Sequence, residues 1–340
     1  MMMLPRGLSA DRVRVGVIGL GNWGTALANH LAQRGHEVLG WSIEPEVIEG
    51  INTRAHHPRF LTQVSLNSRF TATGDINAAL ANDLVLLTIP SSAIAAVYPL
   101  LQGRQIPLVV SAIKGVEGST LHTPLQSLDT FSVARGAEAV ISGPSFARDV
   151  VRGLPCGVVS ASRDEDVARF VADVFTSDSM KVYLSSDPLG VEIGGIVKNV
   201  IALAAGVCDG LELGDSARAG LVTRGLAEMI RLAQAMGAEL STLAGLSGLG
   251  DLVMTATCDT SRNRTVGLEL GRGKKLPEIL RNLGSVAEGV ESTPHVLELA
   301  KRYGVEMPIS LQVGRLLAGE VQPLELVKSL MSRPLRKEFD

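Results

Sequence analysis

The chain has 340 residues, 46% of them apolar, and a formal net charge of −3. That length suits about two domains at ~150 residues each, and the near-neutral balance argues against nucleic acid or an anionic membrane as partner. Three widely separated cysteines, Cys156, Cys208 and Cys258, exclude a disulfide framework or zinc knuckle and fit a reducing cytosol. The N-terminal residues lack the apolar run of a secretory signal.

The first predicted strand, Val13 to Ile18, opens "VRVGVIGLGNWGTALANHLAQRGHEVLGWSIE" (13–44). Gly19, Gly21 and Gly24 follow as G-x-G-x-x-G. Thr25 to Arg34 reads as a helix stopped by Gly35, and Val38 to Ser42 as the next strand. A glycine triplet that follows a strand, opens a helix and leads into a second strand is the context of a dinucleotide site. Gly19 permits the tight turn, Gly21 lets a pyrophosphate approach the backbone at a helix N-terminus, and Gly24 lets helix and strand pack closely.

Further strands are predicted at 83–89, 107–113, 137–143 and 156–162, with helices between them, as around 91–101 and 119–128. The alternation predicts an α/β, Rossmann-type N-terminal domain with a mostly parallel sheet over 1–187. In such sheets ligands bind beyond the carboxyl ends of the strands. Pro90-Ser91-Ser92, Lys114-Gly115 and Gly143-Pro144-Ser145 stand there. Lys114 is either a ligand contact or a solvated loop lysine.

After "KVYLSSDPLG" (181–190) the β pattern stops, and Asp187-Pro188 marks a helix start and a domain boundary. Residues 188–340 read as an all-α C-terminal domain. Its helices are predicted at 189–206, 216–237, 239–245, 262–271, 276–282, 292–303, 308–318 and 323–331. The apolar window 189–211 contains Glu192, Lys198, Asp209 and five glycines, so it reads as a buried helix and not a membrane span. Lys198 is the odd residue in "GGIVKNVIALAAG" (194–206), since desolvating an ammonium costs several kcal/mol as an order of magnitude. Gly194 and Gly195 lie beside it on one helix face and would leave room for a substrate. Asn199 adds a donor and an acceptor. The alternative is a lysine snorkelling at a helix edge.

"GLSGLGDLVMTATCDTSRNRTVG" (245–267) is the next polar island. Asp251 reads as a helix N-cap, and Ser261, Arg262, Asn263 and Arg264 as another helix start. Hydroxyl, guanidinium and amide beside helix N–H groups suit a phosphate; a solvated basic turn has the same composition. The histidines show no triad or metal-ligand spacing, and no metal site is expected.

The segments "GLGNWGTALA", "SAIKGVE", "ISGPSFA", "VKNVIALAAGVCDGL", "ARAGLVTRGLAEM", "GLGDLVMTAT", "SRNR" and "VAEGVES" occur in the order seen in the bacterial glycerol-3-phosphate dehydrogenase family. The chain resembles that family over roughly residues 15–320. The resemblance implies NAD(P)-dependent interconversion of sn-glycerol 3-phosphate and dihydroxyacetone phosphate, supplying glycerol 3-phosphate for phospholipid synthesis. It implies a cytoplasmic homodimer. By similarity Lys198 is the catalytic acid/base, held by Asp251 if the two are close. Lys114, Gly143, Ser145, Lys198, Asp251, Ser261, Arg262 and Asn263 look like substrate contacts. Asn22, Trp23, Lys114, Ala147, Arg262, Val286 and Glu288 look like cofactor contacts, with the glycine turn.

Three positions depart from the family's usual pattern. Family members often carry Arg or His after the Trp of the second strand, where it meets the 2′-phosphate of NADP; here the run is "GWSIEPE". Glu44 lies twenty residues past Gly24, near where an acid takes the ribose hydroxyls of NAD, so the sequence leans towards NAD. Asn22 stands where Ser is more usual, and "FLT" (60–62) where a proline usually closes the triplet. Two other readings share part of the pattern. A β-hydroxyacid dehydrogenase of the 6-phosphogluconate type also uses a helix lysine, but "GLGDLVMT" and "SRNR" favour the glycerol phosphate enzyme. A non-catalytic NAD(P)-sensing protein would not need Lys198, Lys114 and Asp251 together.

Overall fold

A computed structural model describes residues 9–283, 287–335 and 337–338. The chain forms two compact units, Met1–Glu192 and Ile193–Asp340.

The first unit is built on one eight-stranded sheet of order β3-β2-β1-β4-β5-β6-β7-β8. Its strands are β1 (Arg14–Ile18), β2 (Glu37–Trp41), β3 (Phe70–Thr73), β4 (Leu84–Leu87), β5 (Ile106–Ser111), β6 (Arg135–Ser142), β7 (Cys156–Ala161) and β8 (Met180–Ser185). All neighbours run parallel except β6 and β7, which are antiparallel. Central strands such as β4 are buried at every residue, as expected where helices cover both faces. Val15, Val17, Leu84, Leu86, Leu108 and Val110 form the middle of this core, each worth about 1.5–3 kcal/mol of burial. Strand order reverses at β1, which lies between β2 and β4, and the glycine turn leaves from the end of β1. That is the switch point at which doubly wound sheets take ligands.

The strands read from apolar runs are all present. β3 is the addition: a four-residue edge strand, "FTAT", whose burial alternates. Its weak signature reflects its place at the sheet margin, where only one face needs apolar side chains.

From Ile193 onward the described residues form helices and turns, with no strand. The fold is thus the α/β sheet followed by a helical part that the sequence indicates. The long helix Pro188–Gly210 begins beside Asp187, whose Oδ1 accepts the Gly190 N–H at 2.9 Å. It is buried along its length, a core helix. It packs backbone to backbone against the helix Arg262–Gly271. A Cβ on Gly206 would lie 2.1 Å from the Arg264 carbonyl oxygen, and one on Gly267 would lie 2.0 Å from that of Leu203. Asp209 fastens the same crossing through Arg264 Nε at 2.7 Å, and also accepts from Arg218 of the helix Asp215–Ala235 at 2.7 Å. The turn carrying Ser261, Arg262 and Asn263 is thereby fixed against the helix that carries Lys198.

Candidate active site

The glycine turn is shaped by what its residues lack. Gly19 has φ 105°, a left-handed conformation that side chains resist. A Cβ on Gly24 would lie 2.0 Å from the Gly19 carbonyl oxygen and 2.5 Å from Thr88 Oγ1, and Thr88 donates to that same carbonyl at 2.7 Å. Gly21 caps the helix Asn22–Gln33, and a Cβ there would meet nothing within 4 Å. One face of the turn is therefore open. Asn22 and Trp23 open the helix, and the buried Trp23 indole N–H has no hydrogen-bond acceptor. Buried donors are rarely left unmet. An open backbone at a twelve-residue helix N-terminus, beside an unmet donor, fits a dinucleotide pyrophosphate.

The residues after β5 and β6 are equally constrained. Lys114 is half-buried in the loop that follows β5. Three residues on, the Glu117 carboxylate accepts hydrogen bonds from the backbone and hydroxyls of Ser119 and Thr120. Burial alone would push its pKa up, but those bonds from Thr120 and Ser119 hold it at about 2, so the loop closes around a fixed anion. Gly143 has φ 152°, and a Cβ there would lie 2.8 Å from Val158 Cα. Ser145 donates back to the Gly143 carbonyl at 3.1 Å, and Ala147 starts the short helix Ala147–Val151.

In the second unit Lys198 is buried, 5% exposed, and Asp251 is fully buried. Lys198 Nζ donates to Asp251 Oδ1 at 2.5 Å and to Thr255 Oγ1 at 2.9 Å. Snorkelling is excluded. Asp251 is the first residue of the helix Asp251–Thr257, where an N-cap was expected, because the preceding Leu246–Gly250 turn winds as a π-helix and already supplies helical geometry. Thr255 stands one turn further along and meets the same ammonium; the i, i+4 spacing in "DLVMT" is the signal that could have found it. The room expected beside Gly194 is taken: a Cβ there would lie 2.6 Å from the Ser247 carbonyl oxygen. That glycine admits the π turn, which brings Asp251 to the lysine.

A second set of amides adjoins the lysine in sequence. Asn263 Nδ2 donates to Asn199 Oδ1 at 2.9 Å, and Asn263 Oδ1 accepts the Gly289 N–H at 2.9 Å. Asn199 Nδ2 reaches Glu288 Oε2 at 3.4 Å. Glu288 opens the helix Glu288–Arg302. Ser261 caps the helix Arg262–Gly271, its Oγ accepting the Arg264 N–H at 3.3 Å. Arg262 is exposed in its first turn. Lys198, Asp251 and Thr255 thus form one short network and Asn199, Asn263 and Glu288 another, across four helices, with Ser261 capping one of them. Val286 lies outside the described residues.

The histidines serve the fold. His30, His36 and His57 are buried and bonded through Nε2 to backbone carbonyls. Burial pushes all three pKa values down.

Residues 14–168 match the family model for the NAD-dependent glycerol-3-phosphate dehydrogenase N-terminus, and residues 187–328 match that for the C-terminus. The NAD(P)+ glycerol-3-phosphate dehydrogenase of Citrifermentans bemidjiense is 45% identical over 332 residues, covering 96% of this chain and 98% of the relative. That of Desulfovibrio desulfuricans is 46% identical over 335 residues, covering 97% and 100%. The crystal structure of glycerol-3-phosphate dehydrogenase from Coxiella burnetii superposes with a TM-score of 0.90 at 35% identity, covering 95% of this chain and 99% of that one.

Proposed function

The chain belongs to the NAD-dependent glycerol-3-phosphate dehydrogenase family, and from that membership we propose how its own residues carry the reaction. It is an NAD(P)-dependent glycerol-3-phosphate dehydrogenase, an oxidoreductase acting on a CH–OH group. In our reading Lys198 is the acid/base at the substrate C2 oxygen. Its ammonium supplies positive charge where negative charge grows during reduction of dihydroxyacetone phosphate, then gives up a proton. In the oxidation of sn-glycerol 3-phosphate the amine accepts that proton. The nicotinamide, when bound, supplies or takes the hydride. Asp251 and Thr255 fix the ammonium in place.

Ser261, Arg262 and Asn263 are assigned to the substrate phosphate, with Lys114, Gly143 and Ser145 as further substrate contacts. Holding the phosphate orients C2, and such positioning is a large part of catalysis. Gly19, Gly21, Asn22, Trp23 and Gly24 are assigned to the cofactor, together with Lys114, Ala147, Arg262, Val286 and Glu288. We assign residues 1–187 to the cofactor domain and 188–340 to the helical substrate domain. The roles in the cytoplasm, in phospholipid synthesis and as a homodimer rest on the family resemblance.

The observation that carries the reading is the buried Lys198–Asp251 pair at 2.5 Å. A core helix gains nothing from packing an ammonium whose desolvation costs several kcal/mol, so the charge is retained for chemistry. The test is oxidation of NADH or NADPH by dihydroxyacetone phosphate, followed by absorbance, in wild type and Lys198→Ala. Loss of an acid/base group predicts a fall in kcat of roughly a hundred- to ten-thousand-fold, with cofactor binding retained as the check on folding. Near-normal turnover in the variant would remove Lys198 from the mechanism.

A further inference from the structure

The end of β2 carries a charge pair that a lone acid at this place would not lead one to expect. Glu44 follows β2, and its carboxylate is ion-paired with the Arg59 guanidinium. Arg59 comes from the loop 55–61, after the helix Pro45–Arg54. Both side chains remain partly open to solvent, at 38% and 49% exposure. Beside them Ile43 is 79% exposed, an uncovered aliphatic face at the point where doubly wound folds receive the adenosine half of a dinucleotide.

The loop is not free to drift. His57 is 1% exposed. Its Nδ1 accepts the backbone N–H groups of Arg59 at 3.1 Å and Phe60 at 3.0 Å. That fixes the tautomer, so Nε2 carries the proton and donates to the Leu20 carbonyl at 2.9 Å. Leu20 is the residue between Gly19 and Gly21, and its side chain lies over Gly40 of β2, where a Cβ would be 2.5 Å away. Ala55 and Leu61 hold left-handed backbone, φ 52° and 53°, a conformation that persists only where the surroundings enforce it. One buried imidazole therefore joins the loop bearing Arg59 to the phosphate-binding turn itself.

We propose that Arg59, presented beside Glu44 by this His57-anchored loop, is the residue that receives the 2′-phosphate of NADPH, so that one ribose site serves both cofactors. The proposal rests on the reading of the glycine turn as a dinucleotide site. Glu44 accepts from ribose hydroxyls when the cofactor is NADH. When a 2′-phosphate is present, Arg59 exchanges a single carboxylate partner for a phosphate, which binds guanidinium with paired, charge-assisted hydrogen bonds. The exchange is feasible because solvent-exposed ion pairs are weak. The sequence lean towards NAD treated Glu44 as an unanswered negative charge; its pairing with Arg59 removes the reason for exclusion.

The test is calorimetric titration of the full chain with two probes, 2′,5′-ADP and 5′-ADP. Wild type should bind both. Arg59→Ala should weaken 2′,5′-ADP at least tenfold and 5′-ADP less than threefold. Glu44→Gln should shift the ratio the other way, tightening 2′,5′-ADP several-fold and weakening 5′-ADP. Equal effects of Arg59→Ala on the two probes, or none on 2′,5′-ADP, would overturn the assignment. Wild type binding 5′-ADP but not 2′,5′-ADP would also overturn it and leave the dehydrogenase reading standing. Binding of neither probe would bring down the dinucleotide site as well.

Discussion

The glycine turn of the first unit and the lysine cluster of the second are opposite ways of arranging polar groups. The turn works by subtraction. Side chains are removed at Gly19, Gly21 and Gly24, and the Trp23 indole N–H is left with no acceptor. The cluster works by internal pairing. Lys198, Asp251 and Thr255 satisfy one another within 2.9 Å, inside a buried helix packing. A site of the first kind depends on its ligand to complete its hydrogen bonds. One of the second kind is assembled before any ligand arrives, so the chemistry proposed for it and its stability rest on the same atoms.

The largest expected effect follows from that coupling. Asp251→Ala removes the carboxylate that faces the buried Lys198 ammonium, and breaking a buried pair from one side costs about 3–5 kcal/mol. Urea unfolding should show that loss. The double variant Lys198→Met, Asp251→Ala should be more stable than Asp251→Ala alone, because the uncompensated charge is gone. Small, additive effects across the cycle would mean that the pair is not energetically coupled, and the contrast between the two sites would fail.

The turn should behave in the other way, with folding and binding separable. Gly21→Ala introduces a methyl that meets nothing, at an ordinary φ of −72°, so stability should change by less than about 0.5 kcal/mol. The same methyl stands where a pyrophosphate would approach, and 5′-ADP should bind at least about tenfold more weakly, or about 1.4 kcal/mol. Gly24→Ala is the control. Its methyl would overlap the Gly19 carbonyl oxygen, and overpacking of this kind costs about 1–3 kcal/mol. If Gly21→Ala were destabilising and Gly24→Ala harmless, the roles assigned to the two glycines would be reversed.

What was legible in the sequence follows the same division. The turn could be read almost completely, because a local motif between a strand and a helix specifies its own geometry. The helix boundaries of the second unit were equally local; Arg262–Gly271 is observed where it was expected. Lys198 and Asp251 were visible as odd residues, but their contact spans fifty-three positions and has no periodic signature. Thr255 carries a local signal, its i, i+4 spacing from Asp251, but nothing in that spacing points to Lys198. Gly194 was assigned to substrate room because nothing in "GGIVKN" reveals that the Ser247 carbonyl would occupy it. Arg59 escaped notice because its partner Glu44 lies across a helix and a loop. Its link to the glycine turn runs through a buried histidine that reads in sequence as a loop residue.

Glu192 marks how far pairing governs buried charge. It is 3% exposed and forms no ion pair with a cation among the described residues; its Oε1 accepts the Leu125 N–H at 2.9 Å, at the start of the helix Pro124–Thr130. Burial pushes its pKa up to about 7, against the hydrogen bonds from Thr123 and Leu125, and Glu138 adds to the rise. In the folded state Glu192 therefore keeps its proton at pH values where the unfolded chain has lost it. For an acid raised in this way, the stabilising contribution is complete below the unfolded value of about 4.5 and is lost as pH climbs towards about 7. The slope cannot exceed about 1.4 kcal/mol per pH unit. Glu192→Gln keeps an acceptor for the Leu125 N–H and has no proton to lose. Urea unfolding at about pH 5 and about pH 7 should show wild-type stability falling relative to the glutamine variant between the two. Parallel profiles would mean that Glu192 ionises in the folded state as readily as in the unfolded one. A buried carboxylate would then need no cation to stay charged, and the case that Lys198 requires Asp251 would lose its physical basis.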